Sequence, residues 1–166
     1  MSNTTAARFA ASYALLRASA AVADHWVQST HQAACKGFHD GETVTETRAL
    51  ADGTTVKEAR DVTSAEGRWA CAAHVATYTA TQGLALAVGS KVLGLRLRPG
   101  AVAAALVVSG LTHYVADRRR PLKKLAELVG KAPFYNVNSG GMNGAYALDQ
   151  SYHHLFETVA AAVAAR

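Results

Sequence analysis

Four apolar segments of this chain each hold polar side chains four residues apart: Asp24 with Gln28, His74 with Tyr78, His113 with Asp117, and Asp149 with His153. In an α-helix that spacing puts both members of a pair on one face. The surrounding residues, Cys71 to Ala76 for example, are otherwise apolar, so the pairs stand where an amphipathic pattern would put core residues. Withdrawing ionisable groups from water costs several kcal/mol apiece unless they pair or bind a cation. One imidazole on an apolar face is ordinarily a hydrogen-bonded core residue. The same arrangement on four helices needs a common cause.

The spacing of apolar residues outlines the helices that carry these pairs. From Thr5 to Lys36, Phe9, Tyr13, Leu16, Ala20 and Ala23 recur at steps of three and four, which predicts one long helix capped by Thr4 or Thr5 and stopped at Gly37. Between Glu42 and Val62 the period changes to two, Thr43, Thr45 and Thr47 against Val44, Glu46 and Arg48, with Asp52-Gly53 as the turn of a β-hairpin. Its faces are too polar to bury, so residues 42–62 are expected as an exposed flap. Ser64, with Glu66 behind it, opens a second helix to about Leu97, where Arg98-Pro99-Gly100 ends it. A third is expected from Ala101 to Arg119, and Pro121 starts a short basic helix to about Val129. Residues 130–144 form a glycine-rich loop, and the last helix runs from about Gly144 to the C-terminus. The fold class is all-α: a bundle of four main helices with a small β-hairpin insertion, in one domain over residues 1–166.

Charged residues make up only 17% of the chain, so part of its surface is neutral or faces lipid or a partner. The longest apolar stretch, Ala101 to Ala116, contains His113 and is shorter than the ~20 residues a membrane span needs. The run from Gly83 to Leu97 is broken by Lys91 and Arg96. Both are read as core helices, with membrane association as the alternative. The polar start, Met1 to Thr5, lacks a basic region followed by an apolar one, so no signal peptide is expected. With Cys35 and Cys71 the only thiols, no disulfide framework is expected and the compartment is read as cytoplasmic.

Imidazole with carboxylate suits zinc, manganese, iron or nickel, and bundles present such ligands from facing helices one turn apart. The expected metal ligands are His74, His113, Asp117, Asp149 and His153. Without a set of Cys ligands the site is expected to be open and catalytic rather than a closed structural zinc site. Asp24 is a further ligand or a base, and Gln28 orients ligands or substrate. His25 and His154 are neighbours of site residues, while His31 and His39 are read as surface and Trp26 and Trp69 as packing. The +5 formal charge is concentrated in Arg118, Arg119, Arg120, Lys123 and Lys124, which is either an anion site or a solvated helix end.

The Asp24-x3-Gln28 segment with Lys36 downstream, the isolated His74, the His113-x3-Asp117 pair and Asp149-Gln150-x2-His153 resemble the motifs of an uncharacterised family of small bacterial and phage helical proteins. The resemblance covers about residues 20 to 155. That family is loosely similar to membrane-bound metal-dependent hydrolases, which implies cleavage of a phosphoester or related bond. This chain departs from it in having charged residues within its apolar runs and in the hairpin.

The leading expectation is therefore a metal-dependent hydrolase of a small anionic substrate, nucleotide-like or another phosphoester. Asp24, Gln28 and Lys36 are its expected catalytic group; Arg118, Arg119, Gln150, Tyr135 and Asn143 would bind substrate, with Lys36 and the arginines neutralising the anion. The loop from Asn138 to Gly144 is expected to close over the site or to offer backbone N–H groups to phosphate. A nucleic-acid-binding module is the second reading, resting on a pI of about 9.4 and the basic cluster, although no helix-turn-helix or stacking-aromatic pattern accompanies it. The third is a membrane-associated bundle whose His-Asp pairs only fix helix register. Oligomeric state is open, a homodimer included.

Overall fold

The computed structural model describes residues 4–166 apart from the side chain of Arg48, so the expectations for Met1 to Asn3 and for the side chain of Arg48 lie outside the described residues. Helix α1 (Thr5–Val22) is opened by Thr4, whose hydroxyl accepts the Ala7 N–H. The single helix expected as far as Lys36 is in fact three pieces. After Val22 the backbone widens into a π-helical turn, Ala23–Val27, closed by the Gln28 N–H donating to the Ala23 carbonyl at 2.9 Å. Gln28 then leaves helical conformation, and α2 (Thr30–Cys35) begins afresh. The reason is Ser29, which accepts from the Gln32 N–H while the Gln32 side chain accepts from the Ser29 N–H. This reciprocal cap satisfies two helix-end donors and competes with continuing the first helix.

Strands β1 (Glu42–Ala49) and β2 (Thr55–Val62) pair antiparallel from Glu42 opposite Val62 to Ala49 opposite Thr55. The hairpin is the exposed flap its polar faces imply. Only its base is anchored, Val62 and Val44 packing with Cys35, Phe38 and Ala70. Helix α3 (Ser64–Leu93) is capped by Thr63 rather than opened at Ser64, and it stops at Gly94, whose φ of 64° is the left-handed turn that glycine tolerates best. Then follow α4 (Pro99–Asp117), α5 (Arg120–Leu128), the short α6 (Ala132–Tyr135), a two-residue pairing of β3 (Asn138–Ser139) with β4 (Met142–Asn143), and α7 (Gly144–Ala164). The glycine-rich loop is thus folded, with Gly140 and Gly141 both at positive φ in its hairpin turn.

Helix α1 packs on α3 and α7, and α4 packs on the same two, so the four long helices close into a ring. At the end remote from the hairpin the core is Leu16, Leu86, Ala105, Ala160, Ala161 and Ala164, small enough to bring α4 close to α7. The expectation that the α3 and α4 segments are core helices holds for one face of each only. Leu84, Val88 and Val92 on α3 and Val107, Leu111 and Val115 on α4 are exposed. Trp26 and Trp69, expected to pack, are 86% and 78% exposed. Among the described residues α4 is the one helix long and apolar enough on average to cross a membrane.

Arg118 fastens the end of α4 to the chain between α2 and β1. Its guanidinium donates to the carbonyls of Lys36 and Phe38, both at 2.7 Å, and to His39 Nδ1 at 3.2 Å. His39 Nε2 donates to the Arg118 carbonyl at 3.0 Å, so His39, expected on the surface, is half buried. Gly67 makes room for this knot, because a Cβ there would collide with the Phe38 carbonyl and the Arg118 guanidinium. Gly67→Ala should therefore destabilise the protein by about 1–3 kcal/mol despite the better helix propensity of alanine. A thermal unfolding midpoint equal to or above that of wild type would refute this account of Gly67.

Candidate metal centre

The four polar pairs meet at the hairpin end of the ring. His74 and His113 lie one helix turn or more inside α3 and α4 and are fully buried. Their Nε2 atoms are 3.0 Å apart. Asp24 Oδ1 lies 3.2 Å from His74 Nε2 and 3.4 Å from His113 Nε2, while Asp117 Oδ2 lies 3.4 and 3.1 Å from the same two atoms. A metal bonded tetrahedrally at about 2.0–2.1 Å holds its ligand atoms about 3.3–3.4 Å apart, so each carboxylate oxygen stands at about ligand spacing from both imidazole nitrogens. Asp24 Oδ1 and Asp117 Oδ2 are buried without a hydrogen-bond partner. Buried carboxylate oxygens are rarely left so, and these two face imidazole nitrogens. The cluster can hold a metal ion, through Asp24, His74 and His113 or through His113, Asp117 and His153.

Local structure aims each ligand. Asp24 projects from the π-helical turn, and extra backbone width of this kind recurs at functional sites. Gln28, with its amide turned so that both ends are satisfied, donates to the Asp24 carbonyl at 3.1 Å and accepts from Lys36 Nζ at 3.0 Å. Lys36 Nζ also donates to Asp117 Oδ1 at 2.8 Å, leaving Oδ2 for the imidazoles. Gln28 and Lys36 thus hold the segments and carboxylates of Asp24 and Asp117 in place, the role that outer partners play where such groups bind a metal. Burial alone would raise the Asp24 pKa. The adjoining His74 and the charges of His113, His153 and Lys36 outweigh it and hold the carboxyl below its usual range.

The His153 ring stacks on that of His113 with centroids 4.1 Å apart. Its Nε2 is 3.3 Å from Asp149 Oδ2. Asp149, expected as a ligand, is in neither group of converging atoms and instead partners His153 on the wall of a cavity of about 560 Å³. Asp24, Asp117 and His153 face into this cavity, as do Gln28, Lys36, Arg119, Tyr135, Asn143 and Gln150. Burial pushes the Tyr135 phenol up, so it stays a hydrogen-bond donor.

Several expected roles change on placement. Arg118, expected to bind substrate, does not line the cavity, because its guanidinium is committed to the Lys36 and Phe38 carbonyls. Asn143 lines it, but its side-chain oxygen accepts the Tyr146 N–H as the cap of α7. Arg120 is paired with Glu42 at 2.9 Å. His25 stands at the cavity rim, Nδ1 donating to the Ala21 carbonyl and Nε2 accepting from the Tyr146 hydroxyl at 3.3 Å.

Glu157 was not foreseen. It is buried in α7, salt-bridged to Arg17, and accepts the Tyr78 hydroxyl at 2.9 Å. Gln82 donates to the Tyr78 oxygen at 3.1 Å and accepts from Ser109 at 2.8 Å. The Tyr78 ring lies 3.8 Å from that of His113, so this chain of hydrogen bonds backs the metal centre from below. A signal existed: Asp149-His153-Glu157, His74-Tyr78-Gln82 and Ser109-His113-Asp117 each continue the four-residue spacing one step further.

Arg119 carries strain. Its φ of 57° and ψ of −50° belong to a tight turn, closed by the Arg120 N–H donating to the Arg118 carbonyl at 2.6 Å. Such a backbone costs a non-glycine residue about 1–3 kcal/mol. It carries the guanidinium of Arg119 over Gly37 and into the cavity wall.

The chain matches no protein-family model, no curated protein and no solved structure, so its chemistry rests on the geometry of its own residues.

Elemental analysis of protein purified without an affinity tag should find near-stoichiometric divalent metal, lost in His113→Ala and Asp117→Ala but retained in Asp149→Ala. Loss in all three alike would place Asp149 in the shell after all, and a wild type that stays metal-free on reconstitution would dispose of the centre. Arg119→Gly should raise the unfolding midpoint by relieving the turn; a lower midpoint would show that the side chain's packing outweighs the strain.

Proposed function

We propose that this protein is a metal-dependent hydrolase of a small anionic ester, most simply a phosphoester. The observation that carries the reading is the pair of buried carboxylate oxygens without hydrogen-bond partners, Asp24 Oδ1 and Asp117 Oδ2, facing two buried imidazole nitrogens, on residues that themselves line a cavity. A purely structural His-Asp core would be expected to satisfy those oxygens. In this reading Asp24, His74, His113 and Asp117 hold a divalent ion, zinc, manganese, iron or nickel, with His153 at its edge. Such an ion acidifies water and neutralises charge on a substrate oxygen.

The protein's own groups supply the rest. His153, oriented by Asp149, faces the cavity beside the ligands and is suited to take a proton from the attacking water and return it to the leaving group. Arg119 gives the cavity wall a guanidinium able to grip two phosphate oxygens, and Gln150 and Tyr135 add neutral donors. Lys36 contributes charge while holding Asp117.

The test is turnover of aryl phosphate mono- and diesters by protein loaded with manganese, zinc or nickel. Asp149→Asn should retain metal and lower kcat about 10²-fold or more, as loss of an acid-base group does. Arg119→Ala should raise KM by about 10-fold or more with a smaller change in kcat, the worth of a charge-assisted hydrogen bond. A metal-replete wild type inactive on every ester would remove hydrolysis and leave the centre without this function.

A further inference from the structure

The outer surface of the four-helix ring carries a second message. Along Ala10–Val22, Trp69–Ser90, Pro99–Ala116 and Gln150–Ala164 no Asp, Glu, Lys or Arg is exposed among the described residues. What faces outward is Ala14, Ala18 and Val22 on α1, Ala80, Leu84 and Val88 on α3, Val107, Leu111 and Val115 on α4, and Leu155, Val159 and Ala162 on α7. Most charged and polar groups of the same runs point inward: Ser12, Ser19, Gln82, Ser109 and Glu157 are buried and Arg17 reaches in to Glu157, while Thr77, Ser151 and His154, near the metal-centre end, face out. A bundle surrounded by water has the reverse arrangement, polar outside and apolar within.

From this geometry we propose that the ring is embedded in a lipid bilayer, with the metal centre near one membrane surface and its cavity open to water there. Length agrees. For α3 and α4, the run Trp69–Ser90 is about 33 Å of helix and Pro99–Ala116 about 27 Å, against a hydrocarbon core of about 30 Å; the runs on α1 and α7, about 20 and 22 Å, cover part of that depth. The boundaries agree too. Trp26 and Trp69, exposed at the metal-centre end, have the ring that settles at headgroup level. At the opposite end Arg8, Lys91, Arg98 and Arg166 lie on the helix ends and the α3–α4 connection, a basic rim that complements anionic headgroups. Average hydropathy passes only α4 because it does not distinguish faces: the inward His74, Tyr78 and Gln82 lower the mean of α3 without touching lipid.

The full chain, expressed in a bacterial host, should stay with the membranes through high-salt and alkaline carbonate washes and require detergent for release. Purified and reconstituted with phosphatidylethanolamine and phosphatidylglycerol vesicles, it should float with them in a density gradient, and brominated lipid should quench the fluorescence of Trp26 and Trp69. Leu111→Arg and Val88→Arg should each cut the floating fraction at least several-fold. Membrane embedding is overturned if the wild type is monodisperse in buffer without detergent, whether as a monomer or as a dimer joined through these faces. It is overturned equally if carbonate strips the chain from membranes or if both arginine variants float like wild type.

Discussion

Carboxylates and imidazoles gathered from four helices and withdrawn from water are the costliest feature of this fold, and the arrangement of the rest follows from keeping them together. Leaving one buried charge unpaired costs several kcal/mol, comparable to much of a domain's net stability. Lys36 answers part of that demand at Asp117 Oδ1, and Gln28 links Lys36 to the backbone of Asp24. Two oxygens remain unmatched within reach of His74 and His113. Their pairing with a cation would tie α3, α4 and the end of α1 at one point, so metal binding and folding would be one equilibrium rather than two.

The same polar stripe continues away from the metal centre as a network of hydrogen bonds. Tyr78, Gln82, Ser109, Glu157 and Arg17 exchange hydrogen bonds across all four long helices. A network of that kind fixes register, because sliding any helix by one turn would strand several buried groups at once. It also stiffens the centre above it: Tyr78 cannot rotate away from His113 without giving up Glu157 and Gln82. Carboxylate oxygens that face imidazole nitrogens beside a cavity are why the upper end reads as a site, and side chains bonded to one another are why the lower end reads as scaffold.

Much of this was legible in the sequence for one physical reason. Side chains four apart share a helix face whatever the tertiary context, so His113 and Asp117, or Asp149 and His153, could be assigned jointly. The hairpin was legible because period-two alternation around Asp52-Gly53 has few other solutions. What escaped depended on choices between competing local bonds or on partners distant in the chain. Ser29 and Gln32 break α1 from α2 through a cap whose residues also fit a continuous helix. Arg118 looks like its neighbour Arg119 until the carbonyls of Lys36 and Phe38 arrive from eighty positions away. Nor does composition reveal that Trp26 and Trp69 face outward.

The separation of scaffold from site also bears on how the chain can vary. Groups that touch the cavity come largely from helix ends and connections: the π-helical turn for Asp24, the strained turn for Arg119, α6 for Tyr135 and the first turns of α7 for Asp149 and Gln150. His74 and His113, by contrast, lie inside regular helix and are held by the ring itself. A change in the connections reshapes the cavity wall without disturbing the two imidazoles, whereas a change in ring packing moves both at once. The cavity wall and the two imidazoles are therefore carried by different parts of the fold, and the strain at Arg119 falls on the wall rather than on the bundle.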